Sequence, residues 1–251
     1  MGTALVTGAS AGLGEEFAWQ LATARHDVVL VARDTDRLER LAGELRAYAG
    51  VRTEVIGADL SVRDDVERVA ERLRQEQDPV GLLVNNAGYT THQRFVTGDI
   101  AAEEAMVDVM VKAVMVLSRA AAEPMVQRGR GAILNVASVA ALTASGTYSA
   151  AKAWVRTFTE GLAIELDGTG VTATALCPGL TRTEFHERAG FRRVGPGVVW
   201  LDRDRVVAQA LADVRRGVVI STPSVRYALA SVALQHTPRS VVRTLQARSG
   251  M

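Results

Sequence analysis

Apolar positions follow two rhythms along the chain. Short, nearly continuous apolar runs at Thr3–Val6, Asp27–Ala32, Thr53–Ala58, Gly81–Asn85, Gly131–Val136, Val171–Leu176 and Gly217–Ile220 read as buried strands. Between them, Glu15–Ala24, Asp34–Tyr48 and Val62–Gln77 repeat their apolar residues at three- and four-residue spacing, as helices packed on a sheet must. Strands alternating with helices predict a parallel sheet, and right-handed crossovers place helices on both of its faces. The expected architecture is one α/β domain over residues 1–251, a doubly wound parallel sheet of about seven strands. In such a sheet, ligands sit at the C-terminal strand ends.

Composition narrows the partners. The 251 residues are 48% hydrophobic and 23% charged, enough to bury a large core. With 29 basic against 28 acidic residues, the net charge of +1 gives no broad field for nucleic acid, so small molecules are the expected partners. Cys177 is the only cysteine, which excludes an internal disulfide and a thiolate cluster and suits a reducing compartment. Its expected role is a small buried apolar residue. Met1 leads directly into the first apolar run, leaving no room for a signal core, and no run is long enough to span a bilayer. A cytoplasmic protein without a bound metal is expected, since no His/Cys/carboxylate cluster has ligand spacing.

The first strand ends in Thr7-Gly8-Ala9-Ser10-Ala11-Gly12-Leu13-Gly14 before a helix. Glycines at this spacing allow a sharp turn, a close approach to a pyrophosphate and tight helix–strand packing. After strand two stand Ala32 and Arg33, where a carboxylate would select the ribose hydroxyls of NAD. Arg33, with Arg37 one turn on, favours the 2′-phosphate of NADP(H) over NAD(H). Asp59-Leu60 follows strand three, which would place a carboxylate near an adenine amino group, and Asn85-Asn86-Ala87-Gly88 closes strand four. The two amides suit a backbone bending beside a cofactor, their side chains bonding main chain or ribose.

Together with Ser138, Tyr148-x3-Lys152 and Pro178-Gly179, these motifs resemble the short-chain dehydrogenase/reductase family in type and order, over about residues 1 to 185. The resemblance implies a Rossmann-type fold, a nicotinamide cofactor and action on an alcohol or ketone. It further implies that Gly8, Ser10, Gly12, Leu13, Gly14, Arg33, Asp59, Leu60, Asn86, Ala87, Gly88, Tyr148, Lys152, Pro178, Gly179, Thr181 and Thr183 contact the cofactor. Similar proteins form dimers or tetramers through the helices that here contain Met110 and Tyr148. The chemistry also stands on its own. Ketone reduction develops negative charge on oxygen, so a donor must sit beside it and release a proton. Tyr148 is the candidate donor, and Lys152, one helical turn away on the same face, makes its anion accessible. Ser138 would hold the oxygen, with Ser145 and Ser149 as weaker rivals.

Two positions depart from the resemblance. Met110 stands where similar proteins carry an asparagine that holds a water beside the lysine, and a thioether bonds water weakly. Proton resupply is then slower or rerouted, or the protein binds NADP without turnover in a regulatory role. The Ser138–Tyr148 interval of ten positions is also shorter than usual, so either the loop is tighter or Ser138 is displaced. Residues 184–201 read as a lid whose Phe185, Phe191, Val194, Val198, Val199, Trp200 and Leu201 suit a hydrophobic carbonyl or alcohol substrate, or pack the lid on the body. His92, His186 and Glu187 read as surface residues. Residues 223–251 read as a C-terminal extension with a helical pattern over Tyr227–His236 and several arginines, a solvated face or a meeting point for an acidic partner, a CoA-type phosphate or a membrane surface.

Overall fold

Seven strands, all parallel, lie in the order β3-β2-β1-β4-β5-β6-β7 in the computed structural model, which describes residues 2–91, 93–183 and 197–248. They are β1 (Thr3–Thr7), β2 (Asp27–Ala32), β3 (Thr53–Gly57), β4 (Val80–Asn85), β5 (Gly131–Val136), β6 (Val171–Leu176) and β7 (Ile220–Ser221). Every residue of β1 is buried, because both sheet faces are covered. The strand order reverses between β1 and β4, opening a crevice at their C-terminal ends.

The helices among the described residues are α1 (Gly12–Thr23), α2 (Thr35–Ala49), α3 (Arg63–Arg74), α4 (Ile100–Val107), α5 (Ala113–Gln127), α6 (Gly146–Glu165), α7 (Arg203–Arg215), α8 (Val225–His236) and α9 (Arg239–Arg248). A π-helical turn, Asp108–Lys112, joins α4 to α5. The helix α2 shows why its sequence folds this way. Leu38, Leu41, Ala42 and Leu45 form one buried stripe, Asp34 caps the start by accepting from the Arg37 amide at 3.0 Å, and Gly50 ends it at φ 63°. One core packs Phe17, Leu21, Leu38 and Val206 against a sheet face, and another packs Leu73, Met106, Leu117 and Met125 against the other.

The largest differences from the boundaries of the sequence pattern fall in three places. Helix α1 starts at Gly12 rather than Glu15, because the glycine turn itself supplies the first helical turn. Helix α3 stops at Arg74, where Gln75 becomes extended. The last strand is Ile220–Ser221 rather than Gly217–Ile220, since Gly217 takes φ 68° and Val218 bonds back to Asp213 to close α7.

Past β6, the chain re-enters the described residues at Gly197, and Leu201 is held against the loop after β6, its amide on the Leu180 carbonyl at 2.8 Å and its carbonyl on the Arg182 amide at 2.9 Å. The lid residues Phe185, His186, Glu187, Phe191 and Val194, and His92, lie outside the described residues. Helices α8 and α9 lie over the Ser138–Tyr148 loop. Arg239 donates to the carbonyls of Leu142 and Thr143 at 2.9 and 3.2 Å, and Gln246 donates to the Ser145 hydroxyl at 2.9 Å. Among the described residues, no helix is long and apolar enough to cross a membrane, and no group of His, Cys, Asp and Glu could hold a metal ion.

Candidate active site

The crevice between β1 and β4 is built by one side chain that sequence spacing does not single out. The Thr7 hydroxyl accepts from the Asn86 and Ala87 amides at 3.0 and 3.1 Å, while the Asn86 side-chain amide donates to the Thr7 and Gly8 carbonyls at 2.9 and 3.2 Å. The glycine turn and the Asn86-Ala87-Gly88 segment are therefore fastened together. Gly8 sits at φ 65°, and a Cβ on Gly14 would collide with the Gly8 carbonyl, so only glycine lets α1 close on β1. Ser10 and Leu13 are half-buried on the same turn, and a Cβ on Gly12 would reach Thr183 at 3.4 Å, which brings the loop after β6 opposite the turn.

Asn86 thus takes the main-chain role, and Asn85 takes no part in the crevice. The Asn85 side chain is buried and donates to Ser118 and Asn135 at 3.1 and 2.9 Å, and Asn135 donates to Thr159 at 3.0 Å. This buried polar chain ties β4, β5, α5 and α6 together. At the ends of β2 and β3, Arg33 faces Asp59 at 3.8 Å, with 74% of the arginine side chain exposed. Asp59 accepts from the Ser61 amide and hydroxyl at 3.0 and 2.7 Å, and the Leu60 side chain is buried.

Ser138, Tyr148 and Lys152 meet beyond the end of β5. Ser138 caps a 3₁₀ turn, Val139–Leu142, by accepting from the Ala140 amide at 3.1 Å, and its hydroxyl is hydrogen-bonded to the Tyr148 phenol. Across the short interval, Ser138 still lies within hydrogen-bonding reach of Tyr148. Helix α6 carries Tyr148 in its first turn and places the Lys152 ammonium 5.9 Å from the Tyr148 ring centre. Lys152 is buried and donates to the Val136 carbonyl at 2.7 Å. Ser149 is turned toward Thr143 at 2.9 Å, and Ser145 toward Gln246.

Burial dominates the electrostatics. It pushes the Tyr148 phenol up to about 12 against the opposing hydrogen bond from Ser138, and it lowers the Lys152 ammonium to about 8. Cys177, beneath Ser138, is buried and pushed up to about 11 by the same cause, so it is an unreactive thiol at neutral pH. Met110 packs here too. A Cβ on Gly88 would lie 3.1 Å from its sulfur and 3.4 Å from Lys152 Nζ, so Gly88, Met110 and Lys152 converge.

The loop after β6 is tied on both sides. The buried Pro178 offers its carbonyl to the Val139 amide at 3.1 Å, and the Thr181 hydroxyl donates to the Gly179 carbonyl at 3.0 Å. Tyr227 of α8 lies flat against Gly179, where any Cβ would strike its ring. Its hydroxyl accepts from the Leu180 amide at 3.2 Å and donates to the Val199 carbonyl at 2.8 Å. Sequence reasoning missed this residue, since its partners lie 47 and 28 positions away. Behind Ser138, away from Tyr148 and Lys152, a cavity of about 320 Å³ is lined by Leu142, Arg156, Cys177 and Val232.

Similarity to known proteins agrees with this geometry. The family model for short chain dehydrogenase matches residues 2–191. An uncharacterised oxidoreductase of Staphylococcus saprophyticus is 34% identical over 183 residues, 72% of this chain and 78% of that one. A short-chain dehydrogenase from Sphingobium yanoikuyae, solved in complex with NADPH, superposes with a TM-score of 0.87 at 35% identity, covering 98% of this chain and 96% of that one. A bulky-bulky ketone specific alcohol dehydrogenase from Comamonas testosteroni superposes with a TM-score of 0.81 at 31% identity, covering 100% and 93%.

Proposed function

Because the chain belongs to the short-chain dehydrogenase family of oxidoreductases, we propose that it transfers a hydride between NADP(H) and a carbonyl or secondary alcohol, with hydrophobic ketones as its substrate class. The observation that carries this reading is the hydrogen-bonded pair of Ser138 and Tyr148 with the buried Lys152 one helical turn beyond.

The residues fit a nicotinamide dinucleotide. Gly8, Gly12 and Gly14 form a cradle in which side chains would collide or strain the backbone, and α1 opens directly from it, so amide donors and the helix dipole serve the pyrophosphate. Asp59 and the Leu60 backbone serve the adenine end, Asn86, Ala87 and Gly88 the central part, and Pro178, Gly179, Thr181 and Thr183 the carboxamide side. Arg33 supports NADP. Its guanidinium is exposed and only loosely paired with Asp59, whereas the nearby Asp34 carboxylate is engaged as the cap of α2 and does not compete for ribose hydroxyls. The NADPH of the Sphingobium relative and the bulky ketones of the Comamonas relative support the same cofactor and substrate class.

When bound, the nicotinamide supplies or accepts the hydride. The chain's own residues handle the oxygen and its proton. Ser138, whose oxygen already accepts from the Ala140 amide, directs its hydroxyl proton to the substrate oxygen. Tyr148 donates its phenolic proton to that oxygen during reduction and takes one back during oxidation. Lys152, charged below about pH 8, stabilises the phenolate that remains. Met110 packs on Gly88 and Lys152 without parting Lys152 from Tyr148 or Tyr148 from Ser138, so nothing in the site favours a protein that has lost turnover.

Calorimetric titration with NADPH and NADH tests the cofactor half. Wild type binds NADPH more tightly, and Arg33→Ala weakens NADPH by about tenfold while leaving NADH unchanged, the loss of one exposed charge-assisted contact. Tighter binding of NADH than NADPH by the wild type would overturn the NADP assignment.

A further inference from the structure

Helix α6 carries Tyr148 in its first turn, yet that turn has little of its own to hold it. Its first residue, Gly146, sits at φ 59° with open space around it, Ser145 at the N-cap makes no capping bond with its side chain, and no acid lies in the first turn. A helix start of this kind frays, and a fraying first turn would let the phenol drift from Ser138.

Glu103 of α4 stands beside this turn. It is 6% exposed, and its carboxylate accepts from the Thr91 hydroxyl at 2.6 Å and the Gln93 side-chain amide at 3.1 Å. The Thr147 hydroxyl lies within hydrogen-bonding reach of the same carboxylate, and both residues line one cleft between α4 and α6. Thr147 immediately precedes Tyr148. Gln93 is braced in turn, since its side chain exchanges two hydrogen bonds of 2.7 Å with the Asp99 main chain and a Cβ on Gly98 would strike it. Thr91 and Gln93 belong to the segment that leaves the Asn86-Ala87-Gly88 crevice, so one carboxylate joins that segment to the turn bearing Tyr148.

We propose that Glu103 is a positioning residue, whose carboxylate clasps Thr91, Gln93 and Thr147 and so fixes the Tyr148 phenol against Ser138. Packing alone does not call for this residue. Burying a carboxylate is costly unless donors replace its water, and an apolar side chain would fill the same space without that cost. The carboxylate adds acceptors that face three donors at once, and negative charge beside a helix start whose own first turn supplies none. Burial acts to raise its pKa, but the three hydrogen bonds outweigh burial and hold the carboxyl below the ordinary range, so the charge is present at neutral pH. The effect on rate rests on the proposed reductase reading; the placement of Tyr148 does not.

Two variants test this. Thr147→Val keeps the shape of the side chain and removes only the α6 link, and Glu103→Gln keeps the size and removes the charge. In both, kcat for ketone reduction should fall about tenfold, because a small displacement of a reacting group weakens proton transfer, while calorimetric affinity for NADPH is unchanged. A second readout needs no turnover. The chain has four tyrosines, so ¹³Cζ-tyrosine spectra of the NADPH-bound protein give four lines, with that of Tyr148 assigned by its loss in Tyr148→Phe. The Tyr148 line should shift or broaden in both variants while those of Tyr48 and Tyr227 stay in place. An unmoved Tyr148 line in either variant overturns the proposal, and so does a moved line with unchanged kcat. A fall in kcat matched by an equal loss of NADPH affinity also overturns it, since the role would then be structural. If the wild type turns over no ketone and the Tyr148 line still moves in both variants, Glu103 positions the phenol and the reductase reading alone fails.

Discussion

Lys152 holds an ammonium in a buried setting, with the Val136 carbonyl 2.7 Å from it and the Met110 thioether close by. A lysine enclosed in this way loses its proton more easily, and burial lowers it to about 8 from its ordinary 10.5. Between those values the unfolded chain would keep the proton that the folded site gives up, so the shift lies on the basic side of neutrality. Below about pH 8 the ammonium is present and supports the phenolate that Tyr148 leaves when it donates. Above that value this support fades while the Tyr148 phenol, pushed up to about 12, is still protonated. Accordingly, kcat/KM for ketone reduction should fall as pH rises through about 8. A profile flat to pH 10 would show that the lysine charge does not assist the proton transfer. The candidate residues that the fold brings together were legible because their signals are local, such as Tyr148 and Lys152 four apart on one helix and glycines bracketing one turn. Thr7 and Asn85 were less so. Thr7 acts through partners 79 and 80 positions away, and Asn85 is turned into a buried network by Ser118 and Asn135, 33 and 50 positions away.

At the level of elements, α8 holds the loop after β6 through Tyr227. The ring fills the space that only a glycine at position 179 leaves, and the hydroxyl bridges the loop to Val199. Tyr227→Phe keeps the ring and removes both hydrogen bonds, a loss of about 1–2 kcal/mol in stability. If the bridge positions the loop, KM for NADPH rises severalfold with kcat little changed, and steady-state kinetics at saturating ketone separates the two. A stability loss with unaltered KM would reduce Tyr227 to a packing role. Most elements could be read from the apolar rhythm, since buried parallel strands and striped helices leave a periodic trace. Boundaries depended on backbone geometry that the rhythm does not encode. Gly217 turns left-handed and delays the last strand, and a 3₁₀ turn at Val139–Leu142 occupies the short Ser138–Tyr148 interval. The carbonyls of Leu142 and Thr143 in that loop find their donor in Arg239, almost one hundred residues later, so the C-terminal extension completes what the short loop leaves unpaired.

Across the whole molecule, parallel topology gathers the chemistry at one edge. The ends of β1 and β4 hold the glycine turn and Asn86, the ends of β2 and β3 hold Arg33 and Asp59, and the ends of β5 and β6 hold Ser138 and the Pro178-Gly179 loop. Residues far apart in sequence share one crevice because every strand points the same way. The central claim is that this crevice is a reductase site whose proton comes from Tyr148. It is tested most directly by following NADPH consumption against a panel of bulky ketones for the wild type and Tyr148→Phe. Steady turnover by the wild type, falling by about 100-fold or more in a variant that still binds NADPH, is the expected result. Equal turnover by both proteins would contradict the account.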